Sequence, residues 1–362
     1  MTIIDQQTRR RIGREGLTAY DKDKACPGYV LYSPAGGAGD VYLIDLQGTE
    51  VHHWKLPYAP GSYGYLLPNG NLFYAGKIPD DDFVPFHLWP HFRGGVMLEA
   101  DWDGNIIWEY RNNKQHHDAR RTDSGGAIFL GLEKLPEEIA SKVKGGIPGS
   151  GVNGMWADEI IEVDATGKRI WEWHPHEHID FDTTEIVFND PRDYWTHGNT
   201  LAPLDGDRLL VSFRSLSMVG IIDKTSGEFE WQLGDDVLAQ QHDPNMLPNG
   251  NVLIFDNGSH RKNMPLTQSR VIEVNPTNNE IVWQYQDSPG HNFFSPFISG
   301  ARRLPNGNTL IIEGVFGRMF QVTPEGEVVW EYISPHFHSG PLGETNLVFR
   351  ATHYMPDEIP ML

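Results

Sequence analysis

The chain has 362 residues, a formal charge of −20 and a single cysteine, Cys26. The negative charge disfavours nucleic acid and anionic lipid as partners, and one thiol excludes an internal disulfide framework or a thiolate metal cluster. The first residues lack an apolar run of signal-peptide length, and no segment approaches the roughly 18 apolar residues of a membrane span. The sequence therefore predicts a soluble, cytoplasmic protein.

Two strand motifs recur along the chain, beginning near residue 28. The first is a strand, a short turn and a strand ending in tryptophan, and its copies recur about every 47 to 63 residues. That spacing suits the four-stranded blade of a β-propeller, and we assign the tryptophans to packing between blades. The copies end at Trp54, Trp108, Trp171, Trp231, Trp283 and Trp330.

The second motif is a hairpin with an Asn-Gly turn. It reads LPNGN at 67–71, 247–251 and 304–308, and weaker copies occur at 120–130 and 200–213. An Asn-Gly pair between apolar strands predicts a type I′ turn, in which both central residues have a positive φ. Together the two motifs supply the four strands of a blade.

The ends of the chain predict how the ring closes. Residues 28–54 supply three strands, whereas 348–356 supply one strand with no partner after it. Pairing the last strand with the first three completes a blade and leaves no open edge. The sequence thus predicts an all-β fold, a six-bladed β-propeller forming a single domain over 28–362, with an N-terminal extension at 1–27.

In this arrangement the long, irregular segments lie on one face, where function is expected. The segment 83–92 reads FVPFHLWPHF, which is too aromatic for an ordinary solvated loop. We interpret it, with Trp89, as a lid or wall over the centre of the ring, and a contact in a homo-oligomer is the alternative. Phe294 and its aromatic neighbours either complete the same pocket or pack beneath a loop.

One repeat position carries most of the candidate chemistry. It lies five residues before the turn leucine, where the inner strand of each blade begins, and inner strands line the central channel of a propeller. Four of its six occupants are histidines, whereas packing alone favours apolar or small residues. The six are Ser62, His117, His197, His242, Ser299 and His353.

Two kinds of chemistry suit converging imidazoles. Neutral histidines bind divalent metals, so a metal-dependent lyase, hydrolase or oxygenase would use four ligands: His117, His197, His242 and His353. Alternatively, one histidine is a nucleophile, and other histidines and an arginine stabilise a transferred anionic group. Arg214 favours this second interpretation, because arginine repels a metal cation but binds an oxyanion. A non-catalytic binding propeller is the third alternative.

The chain from about residue 28 onward resembles the arylsulfotransferase family, PAPS-independent enzymes that move a sulfuryl group between phenols. The motifs are His-x-Asn at 197–199, a strand ending in SFRS, GEFEWQLGD, QHD with LIFDNG, and ARRLPNGNTLIIEG. The resemblance implies a six-bladed propeller and a ping-pong reaction through a sulfohistidine, with no cofactor. By position it implies His242 as the nucleophile and His117 as a further donor or base. It also implies three residues that hold the sulfuryl oxygens, namely His197, Asn199 and Arg214.

A small aromatic molecule is the partner that these features predict. The residues we assign to binding it are Ser62, Trp89, Phe294, Ser299 and His353. A separate segment, 173–182, carries three alternating histidines, His174, His176 and His178. On a strand they would share one face and suit a metal, but we interpret the segment as an exposed polar loop.

Overall fold

Six antiparallel sheets form a ring in the computed structural model, which describes residues 14–79, 82–262, 264, 266–340 and 343–362. The innermost strand of each sheet contacts the innermost strand of the next, and the sixth contacts the first. The prediction of an all-β, six-bladed β-propeller is confirmed. No helix in the described part of the chain is long and apolar enough to cross a membrane.

The regular elements are short. The strands are β1 (Gly16–Tyr20), β2 (Tyr29–Pro34), β3 (Asp40–Asp45), β4 (Glu50–Lys55), β5 (Pro60–Leu66), β6 (Leu72–Lys77), β7 (Gly95–Ala100), β8 (Ile106–Arg111), β9 (His116–Arg121), β10 (Ala127–Lys134), β11 (Lys144–Gly145), β12 (Trp156–Val163), β13 (Arg169–Trp173), β14 (Glu185–Ile186), β15 (Gly198–Leu204), β16 (Arg208–Phe213), β17 (Met218–Asp223), β18 (Phe229–Leu233), β19 (His242–Met246), β20 (Val252–Asp256), β21 (Arg270–Asn275), β22 (Glu280–Tyr285), β23 (Gly300–Arg303), β24 (Thr309–Glu313), β25 (Arg318–Val322), β26 (Val328–Ile333), β27 (His338–Gly340), β28 (Gly343–Thr345) and β29 (Val348–Tyr354). The α-helices are α1 (Trp89–Phe92), α2 (Glu137–Ala140) and α3 (Pro175–His178), and 3-10 turns occur at Arg214–Leu216, Gly290–Asn292, Gly314–Phe316 and Pro356–Glu358.

Each blade is a sheet of four or five strands. From the inside outward, blade 1 holds β29, β2, β3 and β4, blade 2 holds β5 to β8, and blade 3 holds β9, β10, β12 and β13. Blades 4 and 5 hold β15 to β18 and β19 to β22, and blade 6 holds β23 to β26. The C-terminal strand therefore closes the N-terminal blade, as predicted.

Part of the expected N-terminal extension forms a strand. Strand β1 pairs with β26 as the outermost strand of blade 6, with Gly16 opposite Ile333. Residues 1–13 of the extension lie outside the described residues. No hairpin or tryptophan motif accompanies this strand, so the sequence did not predict it.

The hydrophobic core lies between neighbouring blades. The middle strands are buried on both faces, as in β20, whereas outer strands such as β22 alternate between exposed and partly buried residues. Five of the six motif tryptophans donate their indole N–H to an oxygen of the next blade. The acceptor residues are Asp101 for Trp54, Lys224 for Trp171, Asn279 for Trp231, Pro324 for Trp283 and Leu46 for Trp330.

The hairpin turns differ from the predicted type I′ form. Gly250 has a φ of 84°, whereas Asn249 is outside the left-handed region. Gly250 donates its N–H to the Leu247 carbonyl, and Leu247 donates to the Asn251 carbonyl. This pattern is typical of a type I turn followed by a glycine bulge, and it frees the side chain of Asn249 to donate to Glu273 at 3.0 Å.

Candidate active site

All six blades contribute to one cavity of about 560 Å³ on the face that carries the long segments. Its lining includes one residue from the inner end of each blade: Phe349, Ser62, His117, His197, His242 and Ile298, in blade order. Arg214 also lines it. The structure therefore brings together five residues that the sequence predicted: Ser62, His117, His197, Arg214 and His242.

Irregular backbone places the three histidines at the cavity. His117 and His197 adopt left-handed conformations, with φ of 48° and 50°, and Asp243, directly after His242, has a φ of 55°. In each of these three blades, the pairing between the inner strand and its neighbour shifts register close to the histidine. Bulges of this kind redirect side chains, and uncommon backbone conformations cluster at functional sites.

The tautomer of His242 follows from its neighbour Asn257. The Asn257 amide donates through Nδ2 to the carbonyls of Ser295 and Ile298, at 2.8 and 3.0 Å. Those bonds leave Oδ1 as the acceptor facing His242 Nδ1, 2.8 Å away. We therefore assign the proton of His242 to Nδ1 and the lone pair to Nε2.

A buried histidine pair sets the tautomer of His117. His116 Nε2 lies 3.1 Å from the Gly131 carbonyl and 3.2 Å from Asp158 Oδ1, and both are acceptors. We therefore assign the Nε2 proton to His116, whose Nδ1 then accepts from His117 Nδ1 at 2.9 Å. The lone pair of His117 is thus on its Nε2.

Arg214 is held at the cavity by its backbone and its side chain. Its N–H donates to the His197 carbonyl at 3.0 Å, and its Nη1 donates to Asp190 Oδ2 at 2.9 Å. The same carboxylate oxygen accepts from Ser215 and Gln240 at 3.1 and 2.9 Å. Three donors on one carboxylate fix the guanidinium group in a position to meet an anion.

The three cavity imidazoles are neutral at pH 7. Burial lowers the pKa of His242 to about 3, and the Arg214 charge acts in the same direction. Burial also holds the pKa of His197 well below its ordinary value, again with a contribution from Arg214. Burial also holds the pKa of His117 well below its ordinary value, and the neighbouring His197 acts in the same direction. Neutral rings keep their lone pairs available for reaction.

Buried ion pairs lie directly behind two of the histidines. Asp118 and Asp243 follow His117 and His242 in sequence, and both are fully buried. Arg350 of β29 donates through Nη1 to Asp118 at 3.0 Å, and its Nε lies 2.8 Å from Asp243. This arginine therefore ties the inner strands of blades 1, 3 and 5 together.

Aromatic side chains form much of the cavity wall. Phe92 stacks on His117 with ring centroids 4.6 Å apart, and Tyr194 stacks on His197 at 5.0 Å. Phe86 and Phe349 extend the same wall. Lys77 lies at this cavity too, and burial lowers its pKa to about 8. An aromatic wall with a few polar groups suits a small aromatic ligand.

The comparison with known families agrees with this architecture. A family model described as Arylsulfotransferase (ASST) matches residues 91–335, which is more than half of the chain. The chain belongs to the arylsulfotransferase (ASST) family. The matched region includes His117, His197, Arg214 and His242.

No curated protein matches this ASST family member. A crystal structure of a protein of unknown function from Bacteroides caccae, at 1.35 Å resolution, is similar with a TM-score of 0.55 and 13% sequence identity. The match covers 91% of this chain and 99% of that one. At this identity the similarity concerns the fold alone.

Four residues predicted for the candidate site are close to the cavity but are not part of its lining. Asn199 is buried and donates to the Gln241 carbonyl at 2.8 Å, next to His242. Ser299 bonds Ser295 at 2.8 Å, and Trp89 is buried behind the wall that Phe92 and its neighbours form. Phe294, which is half-buried, contributes its backbone N–H to Glu313 at 3.1 Å.

The placement of His353 was wrong. Strand β29 begins at the cavity with Val348, so His353 lies five residues further along and packs against Gly28. The final strand has no turn leucine from which to count, and Phe349 occupies the position predicted for His353. The proposed four-histidine metal site therefore does not assemble as predicted.

Several residues at the candidate site were missed. Tyr194 donates to Asp158 at 2.6 Å and lies 3.2 Å from His116, which makes these three residues a buried support for His117. Asn257 and Asp190 support His242 and Arg214 in the same way. The doubled histidine in His116-His117-Asp118 is the one signal in the sequence that indicates such a pair.

Proposed function

We propose that the protein transfers a sulfuryl group from one small phenolic compound to another, through a covalent intermediate on His242. The observation that carries this proposal is the hydrogen bond from His242 Nδ1 to Asn257, which leaves the lone pair on Nε2 in a cavity that also holds Arg214. A neutral imidazole with a fixed lone pair is a nucleophile, and a fixed guanidinium is an oxyanion donor.

In the first half-reaction, His242 Nε2 attacks the sulfur of an aryl sulfate. The N–S bond forms, the bond from sulfur to the aryl oxygen breaks, and a phenolate leaves. The imidazole becomes positively charged, and its Nδ1–H remains bonded to Asn257 at 2.8 Å. Arg214 and His197 face the sulfuryl oxygens as charge develops on them.

In the second half-reaction, an acceptor phenol attacks the same sulfur and the N–S bond breaks. His117 Nε2 accepts the phenolic proton and releases it to water, which balances the phenolate released in the first half-reaction. His116 and Asp158 hold His117 in the required tautomer. Protons balance over a full cycle, and each proposed step is assigned to a side chain of the cavity.

The proposed substrate class follows from the wall of the cavity. Phe86, Phe92, Tyr194 and Phe349 offer faces for an aromatic ring. Ser62 also lines the cavity, and its buried Oγ has no hydrogen-bond partner among the described residues. A hydroxyl group in that position is available to a polar substituent of the substrate.

A transfer assay tests this proposal. With 4-nitrophenyl sulfate as donor and phenol as acceptor, we expect phenyl sulfate as product and parallel lines in a double-reciprocal plot, because donor and acceptor react in separate steps. His242→Ala should abolish transfer, whereas His291→Ala, which changes an exposed histidine, should retain it. Intersecting lines, or transfer by the His242→Ala protein, would refute the covalent route.

A further inference from the structure

We propose that Glu133, His174 and His176 form a binding site for a divalent transition metal of the zinc class, separate from the cavity. Among the described residues, this is the trio whose ligand atoms all lie within 4.8 Å of one another. None of the three lines the cavity. The proposal is independent of sulfuryl transfer, because it depends on a different part of blade 3.

The fold of blade 3 brings the three residues together. Glu133 lies near the end of β10, and His174 follows the last residue of β13, with β12 between these strands. Pro175 is buried and begins helix α3, which carries His176. The segment is therefore not the exposed polar loop that the sequence predicted, because a short helix turns both imidazoles toward the carboxylate.

The spacing of the ligand atoms is compatible with a bound metal. Nδ1 of His174 lies 3.1 Å from Glu133 Oε2, and Nδ1 of His176 lies 3.2 Å from Glu133 Oε1. Charge-assisted N–H···O bonds are shorter, about 2.7–2.9 Å. Ligands bound tetrahedrally at about 2.0–2.1 Å from zinc are separated by roughly 3.3 Å, close to the two observed values, each of which is measured to a different oxygen of the carboxylate.

His174 provides a second, independent observation. Its Nδ1 is buried, yet it makes no hydrogen bond of acceptable geometry with any described residue, although Glu133 Oε2 is 3.1 Å away. A buried polar atom without a partner is costly, and a metal ion bound at this nitrogen would satisfy it. The in-plane axis of this nitrogen therefore does not point directly at Glu133 Oε2, although the two atoms are close.

The ligand types select the class of ion. Imidazole nitrogens suit zinc and its neighbours in the transition series, whereas magnesium and calcium prefer oxygen ligands alone. The three side chains are between 19% and 21% exposed, which leaves a route for the ion and room for a water as fourth ligand. Glu172 Oε1 lies 3.9 Å from His174 Nε2 and adds negative charge nearby.

Binding should stabilise blade 3. A metal would join α3 to β10 across the width of the sheet, and a ligand that binds only the folded protein raises the free energy of unfolding. His178, on the same helix, offers a matched control. It stacks on Trp173 at 5.1 Å and pairs with Glu228, so it lies beside the trio without belonging to it.

The test is a zinc titration of tag-free protein that has been stripped with a chelator and dialysed. We expect calorimetry to show one equivalent bound, a rise in the melting temperature, and a tetrahedral absorption spectrum when cobalt(II) replaces zinc. Glu133→Gln, His174→Ala and His176→Ala should each weaken binding roughly 100-fold or more, since even losses of groups around a metal ligand cost about 10–100-fold. His178→Ala should bind like the unmodified protein.

Two controls separate this site from the alternatives. The His117→Ala, His242→Ala double variant should retain the zinc equivalent, because neither residue belongs to the trio. Glu133→Gln keeps the size of the side chain, and its melting temperature without metal reports whether it has folded. The proposal is wrong if the full chain binds no zinc, if the trio variants bind it unchanged, or if only the cavity variant loses it.

Discussion

Replacing Asn257 by alanine should slow the sulfuryl-transfer step while leaving donor binding nearly unchanged. The substitution removes the acceptor 2.8 Å from His242 Nδ1. That hydrogen bond strengthens when the imidazole becomes positively charged, and bonds to charged groups contribute about 1.5–3 kcal/mol. At 1.36 kcal/mol for each tenfold change, the expected loss in rate is roughly 10- to 150-fold.

Single-turnover kinetics in a rapid-quench instrument would measure this loss, with the donor in excess so that binding is not limiting. Asn257→Asp provides the matched variant, because its carboxylate still accepts from Nδ1–H. The added negative charge should raise the pKa of His242 from about 3, and the acid limb of the rate profile should move to higher pH. A single-turnover rate within twofold of the unmodified protein in Asn257→Ala would refute the assigned tautomer.

The remaining predictions concern the cavity and the ring. Arg214→Ala should slow transfer on the order of 100-fold or more, as loss of one oxyanion donor does, and single-turnover kinetics would measure it. The unfolded chain takes up protons at its histidines below about pH 6.5, whereas burial lowers the pKa of His242 to about 3 in the folded protein. The free energy of unfolding in urea should therefore fall as the pH drops from about 6.5 toward 3, and less so in His242→Gln. Arg350→Met removes one of two arginine partners from each aspartate, because Arg120 also pairs with Asp118 and Arg302 with Asp243, and it should cost about 1.5–3 kcal/mol in urea unfolding. Deleting 348–362 removes β29 and should strongly lower the melting temperature.

Each of these predictions has an outcome that contradicts it. Transfer at the normal rate in Arg214→Ala would remove the guanidinium from the mechanism. A free energy of unfolding that does not change between pH 6.5 and 4 would mean that the buried histidines take up protons in the folded state. An Arg350→Met protein as stable as the original would show that Arg120 and Arg302 are sufficient partners for the two aspartates. A truncated chain that melts like the full one would be incompatible with the observed closure.

Repetition in the sequence was the basis for predicting the fold. Six tryptophan motifs and the LPNGN turns gave the number of blades, and the incomplete ends gave the closure through β29. Counting from a turn leucine also located His242 and Ser62, because the length of a strand between turn and cavity is nearly constant. The same count failed at His353, where the strand has no such turn, and Phe349 takes the place at the cavity instead.

The buried residues that hold the cavity histidines in place could not be predicted from the sequence. Asp158 comes from β12 and Tyr194 from a long segment, and no motif in the sequence connects the two residues. Their contact with His116 depends on packing between blades 3 and 4, which a linear pattern does not encode. Asn257 likewise reaches His242 only because β19 and β20 pair across their hairpin.

The central claim is that His242 carries the sulfuryl group. The most direct measurement is to mix the protein with an excess of ³⁵S-labelled aryl sulfate, quench at alkaline pH, digest the protein and locate the label by mass spectrometry. We predict close to one label per chain before acceptor is added, an acid-labile bond at His242, and loss of the label when a phenol is added. Label on another residue, or free phenol released without any labelled protein, would contradict the proposed mechanism.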